Sequence, residues 1–257
     1  MKKIAKERMT KAFMEVLGVY NDTALLINSC HVAKDKYKGI DDPNFRLSTT
    51  QGIPLEYQLP DLEIDFLFKA NELTEQYGKR LIEVLCKNYL VTIVSVFDAA
   101  LEDIYEMLLP LHNSNLTDEK INKLVRAAWA SDQKGQTNLR SFFIDTLDLK
   151  SPKGNESTLD MVFDRYEEIR EIRHAVVHNS GLISRKNKGR LKELSERLPP
   201  ELRQRSLVSL SNVGFIHNDK VELDIADLCL LRAWFYKIIS YFSKVFEGME
   251  DQLESPT

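Results

Sequence analysis

Apolar residues in this chain return every three or four positions over long stretches, a period that suits an α-helix and no β-strand. One run passes through Leu62, Phe66, Leu73, Tyr77 and Leu81 and continues in Ile82, Leu85, Tyr89, Ile93, Val96, Ala100, Ile104 and Leu108. A second comprises Leu228, Leu231, Trp234, Phe235, Ile238, Ile239, Phe242 and Phe246. Asp224, with Asp227 three residues later, is placed to cap it. An aromatic face at this spacing belongs to a core or a partner interface rather than a cofactor box. Between the two runs, Thr117 is set to cap a helix reaching about Ala130, and Asn138 another over Ser141 to Leu147. A further helix is predicted from Thr158 to about Asn179. Ser157 and Asp160 supply its capping offset, Met161, Tyr166, Ile169, Ile172 and Val176 its core contacts, and Gly181 follows its end. Lys186 to Leu198 reads as a charged, solvent-facing helix stopped by Pro199-Pro200.

Breakers set the remaining boundaries. Lys3 to Leu17 reads as an amphipathic helix closed by Gly18. Asp41-Asp42-Pro43, Gly52 and two further prolines make residues 19–60 read as loops around one short helix, Ala24 to Val32. Gly78 either separates two helices or weakens one, and Pro110 with His112-Asn113-Ser114-Asn115 terminates the first long run. Leu207 to Leu223 is the one β candidate, with a hairpin turning at Asn218-Asp219 between Phe215-Ile216-His217 and Lys220-Val221-Glu222-Leu223. The expected fold is therefore all-α, a helical bundle with additional N-terminal helices and a small β-hairpin insertion. Residues 1–60 form an N-terminal helical arm or extension, 61–249 the helical domain with its insertion at about 182–223, and 250–257 a flexible tail.

At 257 residues the chain has the length of one large domain or a domain with additions. Its formal charge of −4 gives no global positive field for nucleic acid, although a local basic surface suffices, because affinity follows the phosphates contacted. Cys30, Cys86 and Cys229 lack metal-ligand spacing and cannot all pair within one chain; Cys86 and Cys229 sit among apolar neighbours and read as buried free thiols. His31 beside Cys30 has no companion ligands, and Lys134-Gly135-Gln136-Thr137 lacks the glycines of a phosphate loop. No metal or cofactor is expected. The basic start, Met1 to Arg8, precedes no secretory apolar block, and Leu90 to Ala100 is broken by Thr92, Ser95 and Asp98. The expectation is a cytoplasmic protein with no membrane partner.

The sharpest local feature is Arg170-Glu171-Ile172-Arg173-His174-Ala175-Val176-Val177-His178-Asn179-Ser180-Gly181. His174 and His178 share a helix face. Arg173 lies roughly 140° around and about 7.5 Å along an ideal helix from His178, within convergence of its long side chain on one ligand. Imidazole moves protons near neutral pH, and guanidinium clamps a nonbridging phosphate oxygen. RNA brings its own nucleophile, the 2′-OH, so such a site needs neither metal nor covalent intermediate. Attack on the adjacent phosphate leaves a 2′,3′-cyclic phosphate and a 5′-OH. By spacing alone a structural account stands beside this one: Arg173 salt-bridges an acidic neighbour, and His174 or His178 hydrogen-bonds a helix end.

Arg173 to Gly181 resembles the R-x4-6-H signature of the HEPN superfamily, in the form seen in bacterial defence and toxin systems. Ser95-Val96-Phe97-Asp98-Ala99-Ala100-Leu101-Glu102-Asp103-Ile104 resembles the earlier HEPN helix that sets an acidic residue opposite the signature. The resemblance covers Leu81 to Asn179. It implies a helical bundle, a metal-independent endoribonuclease acting as toxin or antiviral effector, an RNA substrate, and a homodimer that joins two signatures in one cleft. By the same resemblance Arg173, His178, His174 and Asp98 are the catalytic candidates, with Asp98 orienting His178 or Arg173. Arg170, Asn179, Arg185 and Lys186 are the RNA-binding candidates, within a basic rim that also includes Arg165, Arg173, Lys188 and Arg190. A defence-system or antitoxin protein is the expected partner class, although Ser180 stands where antitoxin-paired members carry Tyr. Two alternatives remain: a noncatalytic HEPN module binding RNA or nucleotide, and a helical adaptor that docks a protein through its N-terminal arm or last helix.

Overall fold

The first apolar run folds into the central helix of the protein, α3, Leu81–His112. Ile82, Cys86, Tyr89, Leu90, Ile93, Val94, Phe97, Leu101, Ile104 and Tyr105 are buried along it, a stripe wide enough to meet helices on more than one side. The computed structural model describes residues 2–49, 54, 56, 66–130, 138–197 and 215–249. A short helix, α2 (Ala70–Glu75), runs into α3 through a π-helical turn, Gln76–Arg80. Gly78 thus neither separates two helices nor merely weakens one. It sits in that turn, where a Cβ would approach the Lys34 side chain to 3.2 Å. Pro110 does not stop α3. It lies in the last turn at the cost of one i→i−4 hydrogen bond, and the helix runs on to His112 with Asn113 as its cap. The continuous helix Ala70–His112 is long and apolar enough to pass as a candidate membrane span by length and composition, more so than Leu90 to Ala100 alone. Many of its apolar side chains face the other helices of the bundle.

The N-terminal expectation needs the largest correction. Residues Lys2–Lys38 form one helix, α1, in place of a helix ending at Gly18 and a separate short one. Ala5, Met9, Ala12, Val16, Thr23, Ile27 and Cys30 are buried at steps of four, three, four, seven, four and three, with half-buried Val19 and Tyr20 bridging the longest step, and the stripe passes Gly18, on the exposed side, without a break. Packing of this stripe on α3 and the last helix outweighs the glycine penalty. Beyond α1, Leu47–Ser48 (β1) pairs antiparallel with Leu67–Phe68 (β2), a ladder the periodicity did not predict. Phe66 is exposed before β2 rather than helical, and Leu62 and Gly52 lie outside the described residues.

The segments that follow are capped mostly as their sequences predict. Thr117 Oγ1 accepts from Lys120 N at the start of α4 (Asp118–Arg126), and Asn138 Oδ1 accepts from Ser141 N at α5 (Leu139–Ser141), which continues into a π-turn at Phe142–Thr146. For α6 (Leu159–His178) the cap is Thr158, not Ser157. The charged segment is α7 (Arg185–Glu196); it packs on α6 with Asn187 and Leu194 buried rather than facing solvent throughout. The hairpin forms as expected, β3 (Ile216–His217) against β4 (Lys220–Val221), with Asn218 and Asp219 at φ 47° and 66° in the turn. Asp224 and Asp227 make a reciprocal cap for α8 (Ile225–Glu247). Cys229 is exposed on α8, contrary to the buried thiol expected, whereas Cys30 and Cys86 are buried. Pro199-Pro200, residues 207–214 and the tail from 250 lie outside the described residues.

The result is an all-α bundle with two small antiparallel two-stranded sheets. Its aromatic centre is Phe97, whose ring meets Tyr166, Phe235 and Phe242 edge-on at 4.8, 6.0 and 5.5 Å. A buried charged pair joins α6 to α7: Arg165 Nη1 donates to Glu168 Oε1 at 2.6 Å, and Arg165 Nη2 donates to the Leu194 carbonyl.

Two measurements follow. Replacing Gly18 by Ala in the exposed interior of α1 should raise the urea-unfolding free energy by roughly 0.5–1 kcal/mol; a glycine at a real helix end would give no such gain. Burial pushes the Glu168 carboxyl from 4.5 up to about 7, against the opposing pull of Arg165. As pH rises between those values the unfolded chain loses this proton while the folded chain keeps it, so folding stability falls. Unfolding at several pH values should show the wild type losing on the order of 2 kcal/mol across that window relative to Glu168→Gln.

Candidate functional site

Six ionisable residues of α6 follow one another along a single face: Asp160, Asp164, Glu167, Glu171, His174 and His178, at steps of four, three, four, three and four. The carboxylates are partnered by neighbouring segments, although Asp160 remains exposed. From α5, Arg140 reaches Asp160 at 2.8 Å, Asp164 at 2.7 Å and Glu167 at 3.0 Å. From α7, Arg190 meets Glu167 at 2.5 Å, Asn187 donates to Glu171 at 2.5 Å, and Arg197 beyond the helix end meets Asp164 at 3.2 Å. The two histidines continue the same line uncovered. Both are exposed, their ring centroids are 4.5 Å apart at an angle of 44°, and neither has a hydrogen-bond or ion-pair partner among the described residues.

His178 is the last residue of α6, and the backbone after it is firmly held. Asn179 N and Gly181 N both donate to the Ala175 carbonyl, at 3.0 and 2.9 Å, with Ser180 and Gly181 at φ 53° and 85°. Val221 N then donates to the Gly181 carbonyl and Ile183 N to that of Asp219, each at 2.8 Å. Residues 181–183 therefore run beside the hairpin. A Cβ at Gly181 would lie 3.4 Å from the Val221 carbonyl oxygen in a backbone conformation that favours glycine. The β insertion, which the sequence left without a role, is what pins the segment following His178.

Asp98, on α3, serves other partners than those expected. It accepts from the Tyr166 hydroxyl at 2.6 Å and from Arg170 Nε at 2.9 and 3.2 Å; neither Arg173 nor His178 hydrogen-bonds to it. The reason is register: Tyr166 and Arg170, one turn apart on α6, are the residues that face α3. Burial raises the Asp98 carboxyl above its usual range, opposed by Arg170, by the Tyr166 hydrogen bond and by the charge of nearby Arg173. Arg170 also lies over the Trp129 ring at 4.0 Å, and Trp129 Nε1 donates to Glu102 at 2.6 Å. Arg170 is thus committed to structure.

Arg173 is the contrast. It is half-buried, its Nε is buried with no partner, and its guanidinium has no ion pair among the described residues. Of the remaining rim, Arg165 is buried under α7 and cannot contribute, Lys188 pairs with Asp219 at 2.6 Å, and Arg190 is engaged by Glu167 and Glu193. Arg185 and Lys186, at the start of α7, are exposed and unpaired among the described residues, and Asn179 is half-buried at the helix cap. Lys186, Arg170 and Glu171 line a cleft of about 700 Å³ that extends to Trp129 and Arg140. Among the described residues no group of three or more His, Cys, Asp or Glu side chains is placed to hold a metal.

The sequence reading missed the roles of Trp129, Tyr166 and Arg140. Trp129 and Arg140 carried no local signal. The acidic line could have been found, because its spacing matches the histidine pair. Chemically, the end of α6 offers a cation and two solvent-facing imidazoles, and the start of α7 two basic side chains, all without ion-pair partners among the described residues, a surface suited to a phosphate-bearing ligand.

Stability should separate the two arginines. Arg170→Ala removes the charged partner of Asp98 and leaves it only the Tyr166 hydroxyl, and should cost roughly 2–3 kcal/mol in urea unfolding, whereas Arg173→Ala, which breaks no hydrogen bond among the described residues, should change it by less than about 1 kcal/mol. Equal losses would mean that Arg173 is structural. No protein-family model, curated protein or solved structure matches this chain significantly.

Proposed function

We propose that the end of α6 is the active site of a metal-independent endoribonuclease of the HEPN type. The observation that carries this reading is that Arg173, His174 and His178 have no hydrogen-bond or ion-pair partner among the described residues, in a helix whose other charged side chains are largely paired. His178 takes the 2′-OH proton as that oxygen attacks the adjacent phosphorus. Arg173 holds the nonbridging oxygens while charge develops on them. The P–O5′ bond breaks and the leaving oxygen receives a proton, giving 2′,3′-cyclic phosphate and 5′-OH ends. Lys186 and Arg185 bind flanking phosphates, and Asn179 contributes a hydrogen bond beside the helix cap. Asp98 and Arg170 act as positioning residues that fix how α6 lies on α3.

In-line displacement places the attacking and leaving oxygens on opposite sides of phosphorus. Two imidazoles 4.5 Å apart on one helix face approach from one side. The acid and base therefore come from two copies of the chain, which supports a homodimer with paired signatures. His174 of each copy binds RNA or shares proton transfer. A cytoplasmic toxin or antiviral effector, regulated by a defence-system or antitoxin protein, is the cellular role that fits such an activity. The same one-sided geometry favours a second reading if the chain acts alone: a noncatalytic HEPN module that binds RNA or nucleotide phosphates.

Labelled total RNA incubated with the protein should be cleaved in the presence of EDTA and carry 2′,3′-cyclic phosphate ends. His178→Ala and Arg173→Ala should each slow cleavage by about 100-fold or more. RNA binding without cleavage by the wild type would establish the second reading instead.

A further inference from the structure

The two imidazoles at the end of α6 have a geometry that their proposed proton chemistry does not use up. We propose that His174 and His178 together chelate one divalent transition-metal ion of the copper or zinc class. An ion bound at about 2.0–2.1 Å from each of two imidazole nitrogens needs those nitrogens roughly 3 Å apart. Ring centroids at 4.5 Å, one helical turn apart and tilted by 44°, reach that separation by small side-chain rotations and no movement of the backbone. Both rings are exposed and without hydrogen-bond partners among the described residues, so binding displaces only water.

The surroundings favour a cation at this end of the helix. The last carbonyls of α6 carry partial negative charge, and Glu171, one turn back on the same face, adds a carboxylate. Arg173, Arg185 and Lys186 oppose it; Arg185 and Lys186 are exposed and unpaired among the described residues, and their long side chains can extend into solvent, whereas Arg173 is half-buried. No third protein ligand is placed at the pair among the described residues, so water or an anionic ligand completes the coordination. Imidazole donors with open remaining positions select copper and zinc over calcium or magnesium. Metal binding occupies a lone pair on each ring, and a ring so engaged takes no proton. On the nuclease reading, from which this consequence follows, the ion is an inhibitor: the site works without metal and is silenced by it.

Metal-free protein titrated with Cu²⁺ should show a tight site whose paramagnetic resonance spectrum carries the splitting of two imidazole nitrogens. His174→Ala and His178→Ala should each weaken that site by more than about tenfold and remove one nitrogen from the spectrum. His112→Ala, at the far end of α3, should leave it unchanged. Circular dichroism of each variant verifies that α6 is intact. Binding that survives both substitutions, or a spectrum without two imidazole nitrogens, would overturn the proposal. Cleavage assays separate the two ideas: loss of RNA cleavage on adding Cu²⁺, reversed by EDTA, supports both. Two-nitrogen copper binding by a protein that cleaves no RNA upholds the chelate and removes the nuclease.

Discussion

One carboxylate, Asp98, fixes how α6 lies on the bundle. It is mostly buried on α3 and has two partners on α6, the Tyr166 hydroxyl and the Arg170 guanidinium. Because those partners are one turn apart, they define the rotation of α6 as well as its distance from α3. With that rotation set, the line from Asp160 to His178 falls about 100° further round the helix. It faces α5 and α7 along most of its length and solvent at its end. Tyr166 secures the same arrangement from the apolar side, with its ring against Phe97 and Trp234. The polar and aromatic contacts of a single residue thus agree on one orientation.

Charge along α6 is organised by what covers it. Four carboxylates on one face would repel one another and weaken the helix if left bare. Arg140, Arg190 and Arg197 remove that repulsion and tie two other segments of the chain to α6. Much of the positive charge that composition assigns to this region is consumed in this way. Among the described residues of this region, what reaches solvent unpaired lies at the helix end and the start of α7, which is why a chain of net charge −4 can still present a local basic surface.

The parts legible in the sequence were those where pattern and local chemistry agree. The stripes of α3 and α8, the Asp224 cap and the Asn218-Asp219 turn were each readable from a few residues. The motif on α6 was readable as well, down to the adjacency of His174 and His178. Failures came where a breaker was trusted over a pattern of small or polar buried residues. Ala5, Ala12, Thr23 and Cys30 carry little hydropathy, so the long stripe of α1 was hidden and Gly18 was read as an end. The partner of Asp98 was misread for a different reason. Arg170 and Arg173 are three apart on one helix, and only the docking angle of α6 decides which of them faces the acid. Trp129 and Arg140 come from turns and short helices remote in sequence, and no periodicity records such encounters.

The placement of α1 has a consequence for how the protein comes to be made. Its side chains meet the last helix: Lys6 pairs with Glu247 at 2.6 Å, Phe13 packs on Tyr236, and Arg232 lies over Tyr20. These contacts join segments separated by more than two hundred residues of chain. On the ribosome α1 emerges before α3 and can dock on it once α3 is made, but the side meant for α8 stays open until α8 itself has been synthesised. The nascent chain therefore carries an unsealed seam while the residues between α1 and α8 are made, and α8 is what closes it.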